Sequence, residues 1–387
     1  MNFEPCTILY KYQENQRYFA QIAGGLEEEG AKELTQLGGK KASPIYRGIY
    51  FNASNAALYR INYQSRLITR VLAPLIEFDC HSDRYLYKMA RDMDWSELLT
   101  PQSTFAVFAT VSQSKITHSK FAALRLKDAI VDKFRDETGE RPSIDRRDPD
   151  VWLNLHINQN KAVISLDTSG GSLHRRGYRK ESVKAPMQET VAAAAVRMSG
   201  WDGTTPLYDP FCGSGTLLCE ALMHYADVPA GYLRPTFGFE RMPDFNPMAW
   251  QQVKEEADAA IKPVPEGLFY GSDRDHETIS FARMNCNGLP GGEQIACTVS
   301  DFQYVTIPEG STIICNPPYG LRMGQADQMS ELYKSIGDFF KQKCKGSTAY
   351  VYYGNREWIK HLGLRTSWKK PLVNGQLDGR LVKYEMY

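Results

Sequence analysis

The chain has 387 residues, room for two or three domains, and its 42% hydrophobic and 24% charged residues are the balance of an ordinary soluble protein, which excludes disordered and fibrous classes. The formal net charge is +1, so a nucleic-acid surface has to be a local patch offset by acidic regions elsewhere. No apolar run approaches a membrane span, the start MNFEPCTILYKYQENQRYF lacks the basic-then-apolar plan of a secretion signal, and eight scattered cysteines without a CxxC pair fit reduced core thiols in a cytoplasm rather than a zinc cluster.

In chain order, FAQIAGGLEEEGAKELTQLGG reads as a strand, a turn and a short helix stopped by Gly38 and Gly39. IYRGIYFNA reads as strands, and NAALYRINYQSRLITRVLAPLIEF as a helix running into another strand. After WSELL come the strand-like TFAVFATVSQ and a long helix, SKFAALRLKDAIVDKFRDETG. In that helix Phe121, Leu124, Ile130, Val131 and Phe134 give an approximate apolar stripe, while Arg125, Lys127, Lys133 and Arg135 project elsewhere. VWLNLHINQ and KAVISLDTS add two strands across a polar turn. Residues up to about 167 are therefore α+β, too mixed for one regular parallel sheet.

The composition then shifts. GGSLHRRGYRKESVK carries Arg175, Arg176, Arg179, Lys180 and Lys184 and reads as a linker or exposed strap. From Pro186 onward strands and helices alternate: PLYDPF then TLLCEALMHYA, LFYGSDRD then HETISFARMNCNG, ACTVSDF, and TIICNPPYG followed by SELYKSIGDFFKQKCKG and TAYVYYGN. Such alternation implies a doubly wound, mostly parallel sheet with ligands outside the carboxyl ends of its strands. The unusual residues all sit at those ends.

In YDPFCGSGT, Gly213 and Gly215 permit a tight turn and close approach of a ligand to the backbone and the following helix start. The absence of Gly-Lys-Ser/Thr disfavours nucleotide triphosphates, and the neighbouring acid suits a ligand with a positive end; a plain glycine-rich turn is the alternative. In GSDRD, Asp273 is the preferred acid to accept from two ribose hydroxyls, and Asp275 can equally be the helix cap. The gap of some 60 residues from the glycines, against about 20 in a dinucleotide fold, makes the stretch 228–250 an insertion, either a lid or a packing arm. In SDF, Asp301 either takes the amino hydrogens of an adenine, with Phe302 on its ring, or caps a turn. In ICNPPYG, the Asn316 amide oxygen and a carbonyl fixed by proline are two acceptors matched to the two N–H donors of an exocyclic amine, and Tyr319 offers a stacking face. This is positioning chemistry, which requires no metal.

These motifs, in this order, resemble class I S-adenosylmethionine-dependent methyltransferases that modify exocyclic amines. With the upstream FAALRLKDAIVDKFRDETGERPSIDRRDPDVWLNLHI, SLDTSGGSLHRRGYR and APMQETVAAAAVRMSGWDG, nearly the whole chain resembles the THUMP-containing methyltransferases, closest to the bacterial 23S ribosomal RNA guanine-N2 methyltransferases of the RlmL type. The resemblance implies an α/β, Rossmann-like methyltransferase domain preceded by α+β ferredoxin-like and THUMP subdomains. The bounds expected are 1–53 for the ferredoxin-like part, 54–167 for an RNA-binding THUMP domain, 168–184 for a basic linker and 185–387 for the methyltransferase domain. It implies S-adenosylmethionine as cofactor, its methionine part held by Asp209, Pro210, Phe211, Cys212, Gly213, Ser214, Gly215 and Thr216. Asp273 would take the ribose, Asp301 and Phe302 the adenine. Asn316, Pro317, Pro318 and Tyr319 would hold the target amine, Asn316 also touching the cofactor.

The implied partner is 23S ribosomal RNA or a pre-ribosomal particle in the cytoplasm, with no membrane and no metal. Arg125, Lys127 and Lys133 either track phosphates or form a solvated helix face. Arg175, Arg176, Tyr178, Arg179 and Lys180 are the favoured RNA contacts, some of the arginines instead packing the two domains together. A guanine N2, extruded from structured RNA, would sit between Asn316 and Tyr319. The rivals are a guanine N2 in transfer RNA, adenine or cytosine amines in DNA, and an inactive ribosome-assembly factor on the same fold. Carbon-5 methylation of a pyrimidine needs a cysteine nucleophile, and strand alternation turns Cys315 away from the pocket.

Overall fold

The computed structural model describes residues 10–181, 186–319, 326–375 and 377–387; Cys6, Lys184 and Gly320 lie outside them. The N-terminal half starts with a one-turn helix, α1 (Lys11–Asn15), and carries β1 (Arg17–Ile22), α2 (Glu27–Gln36), β2 (Lys40–Ile45), β3 (Gly48–Asn52), α3 (Asn55–Gln64), β4 (Ile68–Asp79), α4 (Asp83–Asp92), β5 (Thr104–Ser112), α5 (Ser119–Thr138), β6 (Ser143–Ile144), β7 (Val151–Asn158) and β8 (Lys161–Asp167). Among the described residues these strands form one mixed sheet in the order β2-β3-β1-β4-β8-β7-β5-β6. Its continuity rests on β4, twelve residues long, which pairs antiparallel with β1 on one side and β8 on the other.

On α5 the buried residues are Ala122, Leu126, Ala129, Ile130, Val131 and Phe134. Phe121 and Leu124, expected on the apolar stripe, are 47% and 45% exposed. The buried face turns on the small Ala122 and Ala129 instead, which let α5 lie close to the sheet.

The second half carries α6 (Glu189–Ser199), β9 (Leu207–Asp209), α7 (Thr216–Tyr225), α8 (Pro247–Ala259), β10 (Phe269–Asp273), α9 (His276–Cys286), β11 (Ile295–Val299), β12 (Thr312–Cys315), α10 (Ala326–Lys343), β13 (Thr348–Tyr353), β14 (Thr366–Pro371) and β15 (Arg380–Glu385). Its sheet order is β11-β10-β9-β12-β13-β15-β14. β11, β10, β9, β12 and β13 are parallel, and β15 and β14 add an antiparallel edge. The order reverses between β9 and β12, which opens a crevice where their carboxyl ends diverge. Ile314 and Cys315, at the end of β12, are fully buried.

The insertion 228–250 is a packing arm. Phe237, Phe239, Phe245 and Trp250 interlock with Tyr59 and Tyr63 of α3. Asp244 accepts from the Tyr12 hydroxyl at 2.6 Å, and Tyr63 donates to Asp258 of α8 at 2.6 Å. One hydrophobic cluster accordingly runs through both sheets. The seven described cysteines are free and buried. Among the described residues no helix is long and apolar enough to cross a membrane.

Candidate active site

β9 delivers Asp209 to the crevice at 1% exposure, its carboxylate accepting the Phe211 N–H at 3.0 Å. Burial drives this carboxyl well above its ordinary range; the Phe211 N–H opposes the shift and the nearby Asp273 adds to it. A carboxyl in that state regains its charge most readily when a cation is set beside it. The chain then turns through Gly213 and Gly215 at φ +52° and +84°, where a side chain would be strained. Gly215 has a second reason to be glycine, since a Cβ there would lie 3.2 Å from Cys286 Sγ and 3.3 Å from Ala282 Cα on α9. It is also the N-cap of α7 and supplies no side-chain cap, which leaves the first amides of that helix without one.

Asp273, at the end of β10, accepts from Gly213 N–H at 3.2 Å and from Asp275 N–H at 3.1 Å, binding the second strand to the glycine turn. Asp275 is the cap of α9, accepting from Thr278 N–H at 2.8 Å. Asp301 follows β11 and caps a short 3-10 turn through Gln303 N–H at 3.1 Å. Phe302 is buried between Phe211 and Phe339, ring centroids 5.0 and 5.5 Å apart.

Beyond β12, Pro317 is buried, Pro318 exposed, and Asn316 and Tyr319 half-buried. The Asn316 Oδ1 is closed off from solvent and has no hydrogen-bond partner among the described residues. Such an orphan costs about 1–3 kcal/mol, which a donor entering the crevice would relieve. The Tyr319 ring lies flat over Gly354, whose hypothetical Cβ would be 3.0 Å from three ring carbons, and the Tyr319 carbonyl accepts from Trp358 Nε1 at 3.3 Å. Burial raises the Tyr319 phenol above its usual value, so it stays neutral.

One cavity of about 800 Å³ collects these groups: Asp209, Pro210, Phe211, Cys212, Gly213, Ser214, Thr216, Asp273, Asp301, Phe302, Asn316, Pro317, Pro318 and Tyr319 all line it. Gly215 stands off its wall and acts through the packing of α9 against the turn. Sequence reasoning did not reach Pro186, Met187, Leu217, Arg274, Thr278 and Gln303, nor Gln328, Glu331, Leu332 and Ser335 on α10, which complete the lining. Their one signal is position: they precede α6, follow a strand end, or lie on the helix that comes after one.

The predicted RNA contacts divide. Arg176 and Tyr178 are buried at 2% and 1% exposure, which corrects their assignment to RNA. Arg176 Nε meets Glu220 Oε1 at 3.2 Å with both side chains closed to water, and the Tyr178 hydroxyl donates to the same oxygen at 3.1 Å. Arg179 is partly covered, donating to Thr216 Oγ1 at 2.9 Å and the Met187 carbonyl at 2.8 Å beside Glu189 at 3.4 Å. For Arg176 and Tyr178 the reason is Glu220 of α7, which is itself buried and demands a cation; Arg179 is held instead by Thr216 and by Glu189 of α6. Arg175 and Lys180 remain exposed. On α5, Arg125 lies over the Tyr87 ring and 3.6 Å from Asp83, Lys127 pairs with Asp128, and Lys133 meets Glu137 at 3.2 Å. These partners blunt the positive field expected of that helix.

Three family models match the chain: the RlmL ferredoxin-like domain over residues 17–72, the THUMP domain over 81–167 and the RMKL-like methyltransferase domain over 176–383. The chain is 41% identical over 371 residues to slr0064 of Synechocystis sp., provisionally named an RNA methyltransferase, covering 96% of this chain and 97% of that protein. It is 40% identical over 385 residues to the ribosomal RNA large subunit methyltransferase K/L of Syntrophotalea carbinolica, covering 96% of this chain but 53% of the relative. The chain thus spans about half the length of the K/L relatives. Among solved structures, SMU.472, provisionally named a methyltransferase and crystallised with S-adenosylhomocysteine, superposes with a TM-score of 0.84 at 25% identity, covering 96% of this chain and 98% of the other.

Proposed function

The chain belongs to the RMKL-like methyltransferase family with RlmL ferredoxin-like and THUMP domains ahead of the methyltransferase domain, and from that premise we propose that it methylates the exocyclic N2 of a guanine in 23S ribosomal RNA in the cytoplasm. The cofactor is S-adenosylmethionine, and the cavity residues fit it. Asp209, a buried carboxyl with no cation beside it among the described residues, suits an amino-acid ammonium; the uncapped start of α7 and the glycine turn suit its carboxylate; Asp273 and Asp301 line the cavity as acceptors for ribose and adenine.

The observation that carries the reading is the orphaned Asn316 Oδ1 in the cavity wall. In the mechanism, Asn316 takes one N–H of the guanine amine and a carbonyl held by Pro317 or Pro318 takes the other. Both acceptors fix the amine's orientation and leave its lone pair free. Tyr319 stacks on the base, its own ring held from behind by Gly354; such stacking contributes roughly 1–3 kcal/mol per base. When bound, S-adenosylmethionine supplies a methyl group on a positively charged sulfur. The half-buried Asn316 and the buried Pro317 line the cavity wall on which the amine would rest, and the extra proton of the methylated nitrogen departs to solvent. Residues 1–167 would present the RNA, with Arg175 and Lys180 on the exposed side of the strap.

Nucleoside mass spectrometry of RNA from a deletion strain tests the target. N2-methylguanosine should disappear from 23S RNA and return with the wild-type gene but not with Asn316→Ala. Loss from transfer RNA instead would move the substrate to that class. Full activity of Asn316→Ala would remove Asn316 from the catalytic role.

A further inference from the structure

Asn285, on the last turn of α9, lies outside the cavity wall, yet its side chain is fully buried and both ends of its amide are hydrogen-bonded. Its Nδ2 donates to the Ser214 carbonyl at 3.0 Å and to the Glu181 carbonyl at 3.0 Å, while its Oδ1 accepts from Lys180 N–H at 3.0 Å. Ser214 is the residue between the two glycines of the cofactor turn, and Lys180 and Glu181 end the described part of the strap. One amide thus grips three backbones: α9, the turn and the strap.

The neighbouring packing gives this grip its purpose. α9 approaches the turn so closely that a Cβ on Gly215 would be tight against Ala282 and Cys286, at 3.2–3.4 Å. The turn needs left-handed backbone at both glycines, a conformation that glycine gives up easily because its unfolded alternatives are many. A fixed Ser214 carbonyl sets the peptide plane it shares with the Gly215 N–H, which donates to the Cys212 carbonyl at 2.8 Å, and so the path by which the turn enters α7.

We propose that Asn285 is the positioning residue of the cofactor turn, holding it in the ligand-binding orientation by clamping Ser214 to the strap. The inference rests on the methyltransferase reading for the identity of the ligand, though not for the geometry. Replacing the amide by alanine takes the side-chain partner from the buried Ser214 carbonyl, the part-buried Glu181 carbonyl and the Lys180 N–H. Replacing it by aspartate keeps the shape but sets a carboxylate against two carbonyl oxygens. Such a buried carboxyl has a raised pKa and, once protonated, recovers a single donor.

The test is calorimetric titration of S-adenosylhomocysteine into the full chain carrying Asn285→Ala, Asn285→Asp or, as control, Asn62→Ala. Asn62 is an equally buried amide in the N-terminal half, bonded to Leu58, Thr168 and Ser169. Asn285→Ala should weaken S-adenosylhomocysteine binding at least tenfold, whereas Asn62→Ala lowers the melting temperature and leaves the affinity within twofold. In Asn285→Asp the deficit should shrink as pH falls from 8 to 6, a trend absent from the wild type. Wild-type affinity in folded Asn285→Ala, or no pH-dependent recovery in Asn285→Asp, overturns the proposal. Should the alanine variant not fold, the aspartate pH series decides alone. Failure of the wild type to bind S-adenosylhomocysteine would instead sink the cofactor reading, a result distinct from either.

Discussion

At the scale of single residues, the cavity is built from positions that would be unfavourable anywhere else. Among the described residues Asp209 is buried with no cation beside it and the Asn316 oxygen lacks a partner, while Tyr319 lies so near a backbone that a Cβ there would be 3.0 Å from its ring. Gly354 follows β13 with no positive-φ requirement, so its identity is set by the ring above it. In Gly354→Ala the added methyl must push Tyr319 by several tenths of an ångström toward the cavity, because contacts near 3.0 Å are repulsive. The base-stacking face then moves while the cofactor-binding residues on β9, β10 and β11 stay in place. Steady-state kinetics should show the RNA KM rising about tenfold, a loss near 1.4 kcal/mol, with S-adenosylhomocysteine affinity unchanged; an unaltered RNA KM would detach Tyr319 from substrate.

At the scale of elements, the strap is where the sequence was most misleading. HRRGYR has the composition of an RNA-binding loop, but composition does not report that α7 buries Glu220, and that acid draws Arg176 and Tyr178 inward. Its neighbour His174 shares the consequence. Burial, with Arg175, Arg176, Arg179 and Arg70 adding to it, holds the imidazole down to about 4, against a usual 6.5. A group depressed in the fold stabilises it above the unfolded value and loses that contribution as pH falls toward the folded one. Between pH 7 and 5 the wild type should therefore lose on the order of 1–2 kcal/mol that His174→Gln does not lose. Thermal unfolding across that range checks the difference, and parallel curves would show that His174 titrates freely.

The parallel strands were legible because each is a short apolar run ending in glycine, acid or proline, and the cavity followed because its residues sit at those ends. α4 was not, since only Leu86 and Ala90 are buried on it and the rest of DRYLYKMARD reads as solvated. β2 and β14, KKASPI and TSWKKP, are edge strands with almost every side chain half or fully exposed, so no alternation marks them; lysine and proline suit edges that must not pair further. Asn285 was invisible for a different reason: an asparagine in a helix carries no sign of which carbonyls it will meet.

For the whole molecule, the arm over 228–250 decides whether the two sheets behave as one body. A chain of 387 residues with two sheets would ordinarily unfold in steps. Here Phe239, fully buried, joins the arm's aromatic cluster to Tyr59 of α3, Arg66 donates to the Met223 and Val228 carbonyls, and Arg176 reaches the Ser65 and Arg66 carbonyls from the strap. These ties pass through the middle of both halves, and opening them would strand buried guanidinium groups as well as expose aromatic surface. Cooperative unfolding follows, and it has a ligand signature. S-adenosylhomocysteine at 100 times its dissociation constant adds about 2.7 kcal/mol to whatever unit contains its site. If that unit is the whole chain, hydrogen exchange in β4 and β7, which touch no part of the cavity, slows on ligand addition as much as exchange in β9 and β12. Phe239→Ala, at a cost of about 3–5 kcal/mol, should break the coupling, so that the ligand protects the second sheet and leaves the first unchanged. Protection confined to the second sheet in the wild type would mean that the arm packs without joining, and that RNA bound on the first half has no rigid path to the cavity.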